Sequence, residues 1–153
     1  MPNTYSQIYM HIIFSPKSRE SLILPNFEDR IYQYISGIIK KLDQNLIQIN
    51  GMKDHIHLLV RLKPAIAPSM FVQKIKANSS KWINEQNFLD SKFSWQSGGG
   101  IFSIDHRRVS KVSKYIKNQK EHHSKKTFKE EYLDILKAYD IDFKDEYLID
   151  FFN

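Results

Sequence analysis

The run His55-Ile56-His57-Leu58-Leu59-Val60 holds two histidines one residue apart, and in a strand that spacing offers metal-ligand chemistry. Side chains two apart in a strand share a face, so His55 and His57 point the same way while Ile56, Leu58 and Val60 can face a core. Their α-carbons then lie about 6–7 Å apart, near enough for two imidazoles to converge on one divalent cation. Neutral imidazole suits manganese, zinc, copper or iron, whereas magnesium asks for oxygen ligands as well. The pattern is short, and two ordinary histidines on a half-exposed strand face would satisfy it too. Tyr115 and Gln119 make a second pair, within KVSKYIKNQKEHH. On a helix they fall on one face, one turn apart, with Val109, Val112 and Ile116 as a packing stripe. Tyr115 is then available as a phenolic nucleophile, and Gln119 can offer an amide oxygen to the same cation. A free phenol, with a pKa of about 10, is protonated at neutral pH. Lys114, Lys117 and a metal-bound phosphate would lower the cost of the phenolate. The plain alternative is a tyrosine that anchors its helix against a sheet.

Other candidates carry less. His122 and His123 follow in the same helix, with His122 nearly under Tyr115, and could be ligands, phosphate contacts or exposed residues. His11 alternates with apolar neighbours and reads as structural. Gly98-Gly99-Gly100 matches neither GxxxxGK[ST] nor GxGxxG, so it reads as a flexible or close-packed turn. Trp82, Trp95, Phe93 and Phe102 could stack on bases, but at their positions most read as core.

The elements that must position these residues are legible as patterns. Residues 5–14, rich in β-branched and aromatic types and ended by Ser15-Pro16, read as a strand. Pro25-Asn26 opens a helix to about Leu42, with Asn26 as N-cap and Phe27, Ile31, Tyr34, Ile35, Ile38, Ile39 and Leu42 on its buried side. A strand over Leu46–Asn50, a turn Gly51-Met52-Lys53-Asp54 and a strand over His55–Leu62 form a hairpin. Pro68 starts a helix to about Glu85. Ile101–Ile104 is the last strand. Asp105 could cap a helix over 106–123, and Thr127 with Glu130 has capping-box spacing for a final helix to about Ala138. The order βαββαβ is the ferredoxin-like, α+β arrangement, an antiparallel sheet with helices on one face, followed by C-terminal helices that carry the tyrosine.

The 153 residues are one domain's worth, 41% hydrophobic and 13% aromatic, so a core can be buried without staples. The expected division is a core over 5–105, the tyrosine helix over 106–123 and a C-terminal helix and tail over 127–153. The absence of cysteine excludes disulfides, thiolate zinc sites, iron–sulfur clusters and cysteine nucleophiles. No apolar run is long enough to span a membrane and no secretory h-region opens the chain, so a cytoplasmic protein is expected. The formal net charge of +6 is unevenly spread. Residues 106–129 hold nine basic side chains and one acid, whereas residues 130–153 hold eight acids and two lysines. A basic segment this dense fits a polyanion such as nucleic acid, and equally a solvated helix whose lysines pair with the acidic tail.

Taken together, these pieces resemble the single-tyrosine HUH transposases, a group that includes the transposases of small single-strand insertion sequences and the REP-associated tyrosine transposases. The resemblance runs through YMHIIFSPKSRE, GMKDHIHLLVRLKP, FVQKIKANSSKWINE, FSWQSGGGIFSI and YIKNQKEHHSKKTFKEEYLDILKAYDIDFKDEYL, nearly the whole chain. Its specific part is HxH placed about 60 residues ahead of Y-x-x-x-Q-x-x-H-H. By position, the resemblance implies that His55 and His57 bind the metal, that Gln119 completes the site and that Tyr115 is the nucleophile. It implies Mg2+ or Mn2+ as cofactor and single-stranded DNA marked by hairpins as partner. The implied chemistry is cleavage through a 5′-phosphotyrosine link and rejoining by a 3′-hydroxyl. A homodimer with possible exchange of the tyrosine helix is expected from the insertion-sequence members. Arg107, Arg108, Lys111, Lys114 and Lys117 are the expected DNA contacts. The rival readings are a non-catalytic hairpin-binding module and an HUH endonuclease of the replication-initiator or relaxase kind.

Overall fold

A computed structural model describes residues 4–17 and 22–141. In chain order it comprises β1 (Ile8–Phe14), α1 (Glu28–Lys41), β2 (Asn45–Met52), β3 (His55–Leu62), α2 (Pro68–Gln86) and β4 (Gly100–Ile104). A 3-10 turn (His106–Arg108) then leads to α3 (Val109–Lys117), α4 (Gln119–His122) and α5 (Phe128–Ala138). The four strands form one sheet in the order β2-β3-β1-β4, with every neighbouring pair antiparallel. This is the ferredoxin-like α+β order expected. Among the described residues no helix is long and apolar enough to cross a membrane. The acid-rich end of the expected tail, from residue 142 on, lies outside the described residues.

Both faces of the sheet are covered, which is why β3 is buried along nearly its whole length. On one face Ile12, Phe14, Ile56, Leu58, Val60 and Leu62 pack with Ile31, Ile35 and Ile39 of α1 and Phe71, Ile75 and Ile83 of α2. On the other face α3 sets Val112 and Ile116 against Leu59 and Ile104. Beside them α5 sets Phe128, Tyr132, Ile135 and Leu136 against Ile13 and Phe102. His11, His55 and His57 belong to this second face, because β3 alternates and the register pairs Ile13 with His57 and His11 with Leu59.

Several boundaries differ from the pattern reading. α1 begins at Glu28, with Phe27 at the N-cap and no side-chain cap, so Asn26 does not serve. Phe27 is instead drawn inward, stacked on Phe88 at 4.5 Å between ring centroids. β2 takes in Gly51 and Met52, leaving a turn of Lys53 and Asp54. The helix expected over 106–123 is interrupted at Asn118, where Asn50 Nδ2 of β2 donates to Lys117 O (2.9 Å) and closes off that carbonyl. Phe93, Trp95 and Phe102 are buried, and Trp95 Nε1 donates to the buried Ser79 Oγ (2.8 Å). Trp82 stacks on Tyr34 at 4.4 Å. These four aromatics are packed against protein, as expected for most of them.

Candidate catalytic and metal centre

The centre lies where β3, α3, α4 and α5 meet. Strand alternation sends the His55 and His57 rings to the same side, and both are fully buried. Each is oriented from behind. Asp54 Oδ1 sits 2.8 Å from His55 Nδ1, and His11 Nε2 sits 2.8 Å from His57 Nδ1. The opposite nitrogens, both Nε2, face the centre. Burial and then the neighbouring imidazole drop His11 to a pKa of about 3. Burial, only partly opposed by Glu131, drops His57 to about 4. Both rings are therefore neutral at pH 7. His55 is raised instead: burial works against its charge, but the hydrogen bonds to Asp54 and Glu131 outweigh it.

Despite the interruption at Asn118, Tyr115 and Gln119 still reach one place. Gln119 is buried, with Oε1 3.0 Å from His55 Nε2 and its Nε2 donating to Glu131 Oε2 at 2.7 Å. Tyr115 is half-buried at the border between the Val112–Ile116 stripe and the lysine face of α3. Its ring lies edge-on to His57 at 6.0 Å, and its hydroxyl donates to Glu131 Oε2. Burial, then the charge of Glu131, holds the Tyr115 phenol above its ordinary pKa, so it is protonated here.

Glu131 is the residue the sequence reading left out. It projects from α5, 3% exposed, and its Oε1 lies 3.1 Å from His57 Nε2, 3.3 Å from His55 Nε2 and 2.9 Å from His123 Nε2. Burial would raise its carboxyl, but the hydrogen bonds from His123, His55 and His57 win and hold it far below the usual carboxylate range. One ligand atom from each of His55, His57 and Glu131 lies within 4.8 Å of the others. A signal for it exists in the sequence. Phe128, Glu131, Tyr132 and Ile135 are spaced as an apolar helical stripe, with an acid where a hydrophobe belongs. Of the two histidines left open, His123 thus joins the centre, while His122 stacks on the Tyr115 ring at 4.5 Å.

The centre opens into a cleft of about 530 Å3 lined by Tyr115, His122, His123, Lys125, Lys126 and Glu131, among others. Arg107, Arg108, Lys111, Lys114 and Lys117 are all exposed on the turn and on α3. None of them enters the histidine cluster, and Arg107 is engaged with Asp105 (3.1 Å). A separate cleft of about 590 Å3 runs from β1 and the glycine run to Lys76 of α2, and holds none of these groups.

Two imidazole nitrogens, an amide oxygen and a carboxylate oxygen, buried together, suit a divalent cation that accepts mixed nitrogen and oxygen ligands. A half-buried phenol beside them opens on a cleft of mixed charge, lined by Lys125 and Lys126 and by Glu121, Glu131 and Asp134. Comparison with known proteins gives the same direction. The family model for IS200-like transposases matches residues 4–119. The chain is 29% identical over 121 residues to the transposase for insertion sequence element IS200 of Salmonella typhimurium, a match covering 72% of this chain and 76% of that one. It is 22% identical over 118 residues to the ISDra2 transposase TnpA of Deinococcus radiodurans, covering 74% and 84%. In fold it matches a crystal structure of a candidate transposase from Deinococcus radiodurans R1, with a TM-score of 0.64 at 19% identity, over 76% of this chain and 94% of that one. It also matches a REP-associated tyrosine transposase bound to a REP hairpin, with a TM-score of 0.60 at 14% identity, over 79% and 72%. With most of its length matched by the family model, the chain belongs to the IS200-like transposases.

Proposed function

We propose that this protein is a metal-dependent single-stranded DNA transposase that cleaves and rejoins DNA at hairpin-marked sites, with Tyr115 as nucleophile. The observation that carries the reading is the convergence of Tyr115, Gln119, His55 and His57 of one chain around one buried carboxylate. In the cleavage step the Tyr115 phenolic oxygen attacks the scissile phosphorus and the bond to the 3′-oxygen breaks. The 5′-phosphate is left on tyrosine and a 3′-hydroxyl is released. A 3′-hydroxyl of another strand then attacks the phosphotyrosine, so rejoining needs no nucleotide cofactor. His55, His57 and Gln119 would hold Mg2+ or Mn2+, which supplies positive charge beside the transferring phosphoryl group.

The hairpin partner is suggested by the fold neighbour described as bound to a REP hairpin. Exposed Arg107, Arg108, Lys111, Lys114 and Lys117 would hold the strand backbone, which positions DNA and reads little sequence. The proposed assembly is a homodimer in which tyrosine helices can change places during strand exchange. First cleavage is assigned to one chain, since α3 is seated on that chain's own β2 and β3.

The test is covalent adduct formation. Protein is mixed with single-stranded oligonucleotides from both flanks of its own gene, with Mn2+ or Mg2+, and run on a denaturing gel. A slow protein–DNA band that is lost in Tyr115→Phe, in His57→Ala and with chelator is expected. Hairpin binding with no band in the unaltered protein would instead mark a nucleic-acid-binding module.

A further inference from the structure

The centre gathers one more ligand atom than the His55, His57 and Gln119 set accounts for. Asp54 and His11 sit on the outer, Nδ1 side of the two rings. A carboxylate only accepts, so His55 carries an Nδ1 proton towards Asp54, and its Nε2 is the ring atom that faces the centre. Gln119 is fixed in orientation, because its amide nitrogen donates to Glu131 Oε2 at 2.7 Å. Its oxygen therefore lies 3.0 Å from His55 Nε2. Glu131 Oε1 lies 3.3 Å from the same nitrogen and 3.1 Å from His57 Nε2. One ligand atom from each of His55, His57 and Glu131 thus lies within 4.8 Å of the others, with the Gln119 oxygen beside them.

We propose that Glu131 is a fourth protein ligand of the divalent cation, with His55, His57 and Gln119, and that its second oxygen seats Tyr115 beside that cation. This rests on the transposase reading above and deepens it. Two nitrogens with two oxygens form a more oxygen-rich and more negative set than two histidines and an amide. The added carboxylate oxygen makes the set better suited to a hard cation such as Mn2+ than two histidines and an amide are alone. The two carboxylate oxygens divide the work. Oε1 faces the imidazoles, while Oε2 accepts from the phenol and from Gln119. Residue 131, on α5, lies beyond the stretch matched by the family model, residues 4–119.

The test is Mn2+ binding without DNA, by calorimetry and by the loss of the free-ion EPR signal, in the unaltered protein, Glu131→Gln, His57→Ala and Glu130→Gln. The unaltered protein and Glu130→Gln should bind one Mn2+ alike. Glu131→Gln, which keeps shape and loses charge, should bind at least about 10-fold more weakly, a factor outer partners already reach. Wild-type affinity in Glu131→Gln together with loss in His57→Ala would overturn the ligand role while leaving the transposase reading in place. Tighter binding in Glu131→Gln would also overturn it, since the carboxylate would then be competing with the metal for the histidines. No Mn2+ binding by the unaltered protein would overturn both the ligand role and the metal dependence proposed above. Should Glu131→Gln fail to fold, the unaltered protein labelled with 13C-glutamate gives a second measurement. Substoichiometric Mn2+ should broaden the Glu131 carboxyl resonance before that of Glu130, and equal broadening would refute the assignment.

Discussion

A histidine buried behind another histidine has to stay neutral, and that requirement makes the centre sensitive to acid. In the unfolded chain His11 and His57 titrate near 6.5, whereas in the fold burial takes them to about 3 and about 4. Between those values the unfolded chain binds more protons, so stability rises with pH there and is lost as pH falls below 6.5. Each histidine contributes a slope of up to about 1.4 kcal/mol per pH unit. Glu131, also lowered in the fold, adds to the loss only as pH falls below its ordinary 4.5. His55, which is raised, acts in the opposite sense and above 6.5. In EDTA the urea midpoint should therefore fall steadily from pH 7 to pH 5, and His11→Gln should flatten that fall by about one proton; a flat midpoint in the unaltered protein would refute the neutral pair. Because His11 orients His57, His11→Gln should also weaken Mn2+ binding about 10–100-fold. The sequence shows the HxH pair plainly, because alternation in a strand is local. The roles of His11 and Glu131 depend on which strand lies beside β3 and on where α5 folds back, and neither is a matter of spacing within one element.

At the scale of elements, the hairpin that carries the histidines depends on a close backbone approach at Gly51. A Cβ there would lie 2.2 Å from His55 O and 2.9 Å from Ile56 Cα, both backbone atoms of the paired strand. Gly51→Ala must therefore push β2 away from β3 at the residue that begins the His55–His57 pair. A loss of about 3 kcal/mol is expected, by analogy with overpacked cores. Gly37, exposed within α1 with nothing within 4 Å of an added Cβ, gives the contrast. Gly37→Ala should gain about 0.5–1 kcal/mol from helix propensity alone. Chemical denaturation of the two variants checks both, and equal effects would show that the hairpin tolerates the methyl. The order of elements along the chain, the Pro68 helix start and the Thr127–Glu130 capping box were all legible, since each is written in neighbouring residues. The break at Asn118 was not. KVSKYIKNQKEHH reads as one helix, and what closes it is a hydrogen bond from Asn50, 67 residues earlier in the chain.

At the scale of the molecule, the sheet separates two tasks. One face is committed to α1 and α2 and supplies the main apolar core. The other is covered by α3 and α5, and that covering brings a phenol, an amide and a carboxylate over the histidines. The tyrosine element is fastened to the strands of its own chain. Asn50 Nδ2 holds Lys117 O, and Lys120 Nζ reaches Gly51 O and, at 3.2 Å, Glu28. Such an arrangement predicts that one chain completes its own first cleavage. Mixing His57→Ala protein, which keeps Tyr115, with Tyr115→Phe protein, which keeps the histidines, should then give no covalent DNA adduct, because no single chain carries both halves. If tyrosine helices change places before cleavage, the mixture recovers an adduct, since one exchanged pair per dimer would join an intact tyrosine to an intact histidine pair. The anchoring contacts supply a second arm. Lys120→Ala together with Asn50→Ala removes the side chains that tie α3 and α4 to β2 without touching the histidines or Tyr115. Recovery that appears in the mixture only after those two substitutions would identify this fastening as what keeps the tyrosine at home.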